Sequence, residues 1–144
     1  MKTAAPTEER QRATHRRAHP HCFACGEAAP GGLRLQFRLA ADGGVEADRC
    51  SPPHYQSYDG ILHGGLIATL LDGTKLHALF ARGVVGRTAE LRVRYHHPVR
   101  TGEPMAIATR LGRHFHSLCC LEAEVRQQAL ICATAQAKFT AQRT

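Results

Sequence analysis

The segment from Ile61 to Asp72, ILHGGLIATLLD, gathers residue types that could do chemistry together. His63, Gly64 and Gly65 fall where a helix begins, and Asp72 is a lone acid midway along an otherwise apolar helix. A helix start offers unpaired backbone N–H groups and a partial positive charge, both suited to a developing oxyanion. A carboxylate in apolar surroundings is costly unless it is paired or put to use. The combination points to acyl transfer or hydrolysis. The structural alternatives are an ion pair between Asp72 and Lys75 one turn on, a capping role for His63, and close packing for the glycines.

Helix geometry constrains how these residues can cooperate. His63 and Asp72 are nine positions apart along the chain, about 13.5 Å of rise and a rotation of about 180°. One carbonyl group cannot touch both ends of that span within one helix. If both act on the same group, Asp72 comes from a second chain, and a two-fold dimer with antiparallel central helices makes two equivalent sites.

The elements that must hold this segment are legible in the hydrophobic pattern. Leu33, Leu35, Phe37 and Leu39 alternate with Arg34, Gln36 and Arg38, predicting a half-buried strand. Asp42-Gly43-Gly44 reads as a hairpin turn, Val45 to about Cys50 as the returning strand, and Pro52 and Pro53 as its end. Residues 54–62 form a loop. From His63 to about Ala81 the pattern is helical and apolar almost all round, so that helix is buried, with Gly83 as its stop. Four strands follow, over 88–95, 105–112, 117–126 and 130–139. In the first, Ala89, Leu91, Val93 and Tyr95 share one face, with Thr88, Glu90, Arg92 and Arg94 on the other. The order predicts an α+β fold, an antiparallel sheet wrapped around one long central helix.

Composition bounds the rest. The chain has 144 residues, 43% hydrophobic and 22% charged, enough for one domain with a real core. Residues 1–18 are charged and aperiodic and read as a basic, disordered tail; residues 19–144 read as the folded domain. No apolar run is long enough to cross a membrane, and the first twenty residues have no apolar core of a secretory signal, so a cytoplasmic protein is expected. The net charge of +7 suits an anionic ligand, but aromatics are only 6% and Trp is absent, so base-stacking surfaces are hard to build and no nucleic-acid partner is expected. Reduced thiols are the default for the six cysteines.

His19, His21, Cys22 and Cys25 are four possible zinc ligands within seven residues. A strong zinc pattern has a second, distant ligand pair, which this segment lacks. A structural turn with packed thiols is therefore preferred, and no metal is assigned.

The segments GILHGGLIATLLDG and TAELRVRYHHPVRTGEP together resemble the hotdog-fold acyl-CoA thioesterases of the phenylacetic-acid-degradation type, over about residues 22–140. The resemblance implies a hotdog domain that forms a dimer or tetramer, sheets joined edge to edge, with active sites at the subunit interface and acyl-CoA as substrate. It implies no cofactor, coenzyme A being part of the substrate. It gives the backbone N–H of Gly64 the role of polarising the thioester carbonyl and places His63 beside the thioester. Asp72 becomes general base or nucleophile, and Thr88 positions that carboxylate or the water. Ser57 falls where many relatives carry a supporting Asn, and Gly73 where some carry a Glu. These departures keep a non-catalytic, acyl-CoA-binding hotdog module as the alternative.

Overall fold

A computed structural model of the chain describes residues 4–111 and 121–141. Its elements in chain order are α1 (Glu8–Ala18), β1 (Arg38–Leu39), β2 (Val45–Cys50), a 3-10 turn (Pro53–Tyr55), α2 (Gly64–Phe80), β3 (Gly86–Tyr95), β4 (Pro104–Leu111), β5 (Leu121–Gln127) and β6 (Leu130–Ala141). The six strands form one antiparallel sheet in the order β1-β2-β4-β5-β6-β3. The sheet wraps α2, which packs against β2, β3, β4, β5 and β6. This is the antiparallel sheet around one central helix expected from the order of elements, and it matches the hotdog arrangement that the resemblance implies.

The apolar pattern of α2 explains its central place. Leu70, Leu71, Leu79 and Phe80 are at most 1% exposed, and they pack on Ile107, Val125, Leu121 and the small residues Ala133, Ala135 and Ala137 of the sheet. Alternate alanines on β6 let the helix approach closely, and each buried Leu or Phe contributes roughly 1.5–3 kcal/mol. The helix stops as expected: the Val84 N–H returns to Leu79 C=O and the Gly83 N–H to Phe80 C=O, a Schellman closure with Gly83 at φ 75°.

Three expectations are corrected. Residues 1–18 are not wholly a tail, because Glu8–Ala18 is helical and packs on α2. Thr7 caps it by accepting from the Arg10 N–H, Glu8 and Glu9 occupy its first turn, and His15, Arg16 and Arg17 its last, all matched to the helix dipole. Its buried face is Gln11 and Thr14, polar residues that leave no hydrophobic periodicity to read. The folded unit therefore begins before residue 19.

The strand expected over Leu33–Leu39 is in the sheet only at Arg38–Leu39. Leu33 and Leu35 are buried as the alternation requires, but their N–H groups donate to Phe23 and Ala24 C=O, and Arg34 breaks the run at φ 52°. The third correction concerns β3. A register shift between Thr88 and Glu90 turns Thr88 to the helix side with the half-buried Leu91 and Val93, and leaves Ala89 exposed. The remaining strands fall close to expectation. Residue 112 of one and residues 117–120 of another lie outside the described residues, as do Cys119 and Cys120.

Candidate active site

The helix start supplies the first half of the site. His63 is the N-cap of α2, with extended backbone, and its Nδ1 accepts from the Gly65 N–H at 2.9 Å. The imidazole is thus oriented with its other nitrogen, Nε2, outward. The Leu66 and Ile67 N–H groups donate to His63 C=O at 3.0 and 3.2 Å. That leaves the Gly64 N–H, which has no acceptor among the described residues. A Cβ on Gly65 would lie 3.1 Å from the His63 ring, so the second glycine protects the cap. On Gly64 it would meet Tyr95 at 3.5 Å, an ordinary contact.

The second half is built from α2 and β3. Asp72 is partly buried, and the Thr88 hydroxyl donates to its Oδ1 at 2.6 Å. The β3 bulge makes this possible, since a regular strand would turn Thr88 away from the helix. Oδ2 of Asp72 accepts nothing among the described residues. The alternative partner does not engage: Lys75 makes no ion pair with Asp72, is 0% exposed, and its Nζ has no hydrogen-bond partner. Burial pushes the Lys75 ammonium down to about 8, against the opposing pull of Asp72 and Glu122.

A cavity of about 180 Å³ adjoins Asp72, lined by Thr69, Gly73 and Leu76 of α2 and by His19, Cys22 and Phe23. Gly73 explains part of that geometry. A Cβ there would sit 3.8 Å from Ala24 and Phe37, so the N-terminal segment packs where some relatives place a carboxylate. His77 also lines the cavity; it is buried and held down to about 3 by burial and by its neighbours His15 and His19. Burial also raises the Cys25 thiol, helped by the charge and hydrogen bond of Cys22.

The structure therefore brings Asp72 to Thr88 and His63 to the Gly64–Gly65 turn, and leaves the two pairs at different parts of one helix. It does not bring in Ser57. That residue is exposed, its N–H closes a turn onto Ile61 C=O at 2.8 Å, and its hydroxyl reaches none of the other candidates.

The Thioesterase superfamily family model matches residues 59–132, just over half of the sequence. The chain belongs to the thioesterase superfamily. Acyl-coenzyme A thioesterase 13 of Homo sapiens, and equally that of Pongo abelii, is 28% identical over 109 residues, spanning 74% of this chain and 78% of the relative. A crystal structure of a thioesterase superfamily protein superposes with a TM-score of 0.73 at 26% identity, covering 83% of this chain; the chain spans only 63% of that protein. The phenylacetic acid degradation-related protein of Ralstonia eutropha JMP134 shares the fold, with a TM-score of 0.68 at 23% identity over 88% of this chain and 97% of its own.

The segment matched by the thioesterase superfamily contains His63, Gly64, Asp72 and Thr88. It also contains Tyr95, to which the sequence reading gives no role. Its hydroxyl donates to Gly64 C=O at 2.7 Å, steadying the peptide unit next to the candidate donor. Tyr95 sits at the end of β3 on the helix-facing side expected from alternation, but nothing in its spacing announces a bond to the helix start. Tyr55 anchors the same turn from the other side, its C=O accepting the His63 N–H at 2.9 Å.

Proposed function

We propose that the protein hydrolyses an acyl-CoA thioester to a free acid and coenzyme A. The Gly64 N–H serves as oxyanion donor, and Asp72 of the partner subunit as general base or nucleophile. The observation that carries this reading is the Gly64 N–H itself, a first-turn amide of a buried helix with no acceptor among the described residues. As general base, Asp72 of the partner subunit takes a proton from water while the water oxygen bonds to the thioester carbon. The carbonyl oxygen gains charge against the Gly64 N–H and the helix dipole. Collapse breaks the C–S bond, and the thiolate leaves without needing prior protonation. Thr88 holds the carboxylate in position from its own chain.

The dimer follows from the separation along α2. It is also supported by β3, which forms an edge of the sheet with ten residues available for pairing to a second copy. Among the described residues no helix is long and apolar enough to cross a membrane. We place the reaction in the cytoplasm and assign it no cofactor, coenzyme A being part of the substrate.

The test is hydrolysis of short, medium, long and aryl acyl-CoA substrates, read as released thiol. Turnover of any member, lost in a folded and dimeric Asp72→Ala, supports the reading. Tight binding of coenzyme A without turnover of any member would replace it with the non-catalytic binding module.

A further inference from the structure

We propose that His19, Cys22 and Cys25, with His15 as fourth ligand, form a structural zinc site that pins α1 and the following segment to α2. The sequence offers a crowded Cys-x-x-Cys and no second ligand pair. The fold supplies the missing part from α1, which hydrophobic periodicity does not reveal.

One ligand atom from each of His19, Cys22 and Cys25 lies within 4.8 Å of the others, and the same holds for the trio of His15, Cys25 and His77. Cys25 belongs to both. Cys25 Sγ and His19 Nδ1 are 3.8 Å apart. Two ligand atoms on one tetrahedral zinc, with Zn–S about 2.3 Å and Zn–N about 2.1 Å, stand roughly 3.6 Å apart, so the His19–Cys25 pair is already near ligating separation, while His15, grouped with Cys25 and His77 rather than with His19 and Cys22, must swing toward them to complete the shell.

The backbone is already shaped for it. The Gly26 N–H donates to Cys22 C=O at 2.7 Å, closing a tight turn that turns both thiols to one side. A Cβ on Gly26 would lie 2.5 Å from Cys22 N and 2.7 Å from Pro20 O, so only glycine permits this turn. His15 lies one helical turn before His19, and its Nε2 is 2.9 Å from Cys25 C=O, which ties the imidazole to the Cys25 peptide.

His77 is better suited to support than to ligation. The Gln11 Nε2 donates to Phe37 C=O and faces His77 Nδ1 at 3.2 Å, so Nδ1 is an acceptor and the ring proton sits on Nε2. That Nε2 is buried without a partner. A ligand atom of His77 lies within 4.8 Å of Cys25 Sγ, so a Cys25 thiolate shifting slightly toward the ring would give that N–H an acceptor, a supporting role of the kind that orients metal ligands. The site would fix the Cys22–Phe23 wall of the cavity beside Asp72, but it does not depend on the hydrolase reading.

The experiment is metal content and thiol protection of the full chain, purified under reducing conditions without chelator. The expected result is one zinc per chain, at least tenfold reduced in Cys25→Ser and His19→Ala and unchanged in Cys50→Ser. In the wild type, zinc should shield Cys22 and Cys25, but not the exposed Cys50, from alkylation, and chelation should lower Tm. Cobalt(II) in place of zinc should give the visible bands of a tetrahedral thiolate site. The wild-type alkylation pattern is read independently of whether Cys25→Ser folds. Equal alkylation of Cys22 and Cys25 with and without added zinc, or a Cys22–Cys25 disulfide in the purified chain, would overturn the proposal.

Discussion

At the scale of single residues, the site separates groups that should matter from groups that should not. Asp72→Asn keeps the shape and removes the base, and kcat should fall by roughly 10²–10⁴-fold with the fold intact. Thr88→Val removes a 2.6 Å bond to a carboxylate. A bond of that kind is worth about 1.5–3 kcal/mol, so kcat should fall by roughly 10–100-fold and Tm should fall with it while the fold is kept. Ser57→Ala should leave both kcat and KM within about twofold, since its hydroxyl touches none of the other candidates. Steady-state kinetics on the best substrate of the panel decides all three. A large loss in Ser57→Ala, or none in Thr88→Val, would show that the site is assembled differently.

Elements account for what could and could not be read in advance. Apolar repetition over Leu66–Phe80 was enough to place a buried helix, and His63 and Gly83 marked its ends, because caps and burial are local properties of sequence. The hairpin at Asp42–Gly44 was legible for the same reason. What escaped was decided by tertiary contact. The face of Thr88 depends on a bulge that no spacing encodes, and Tyr95 finds Gly64 only because β3 crosses the helix start. The helix α1 escaped because Gln11 and Thr14 bury polar atoms, with Gln11 bridging Phe37 and His77. The same contacts yield a prediction at this scale. Gly73 sits in the interior of α2 with room for a methyl group, so Gly73→Ala should raise stability by about 0.5–1 kcal/mol, seen as a higher denaturation midpoint. A fall instead would mean that the segment carrying Ala24 and Phe37 packs closer than it does here.

At the scale of the whole molecule, stability and assembly are linked to the site. Lys75 is enclosed with its ammonium unpaired, and its value of about 8 lies below the 10.5 of the exposed group. The unfolded chain therefore holds this proton more tightly, and its contribution to stability should rise as pH increases from about 8 to 10.5. Lys75→Met should abolish that slope and stabilise the neutral-pH fold by about 1–3 kcal/mol. Chemical denaturation of both proteins across the window checks this; an unchanged slope in the variant would assign it to another group.

Assembly is where the account is most exposed, because it requires Gly64 of one chain to meet Asp72 of the partner subunit. Gly64 occupies the first helical position, where proline is accommodated, and the extended His63 before it suits a following proline. Gly64→Pro thus removes the donor N–H and fills its place with the ring Cδ while keeping the helix start, whereas Gly64→Ala keeps the N–H. The most direct measurement mixes Gly64→Pro with Asp72→Ala after subunit exchange, with heterodimers verified by mass. Each variant alone should be at least about a hundredfold slower than wild type. The mixture should recover about a quarter of wild-type activity, since half the dimers are mixed and each holds one intact site. A mixture no faster than its parents would contradict a site shared between chains.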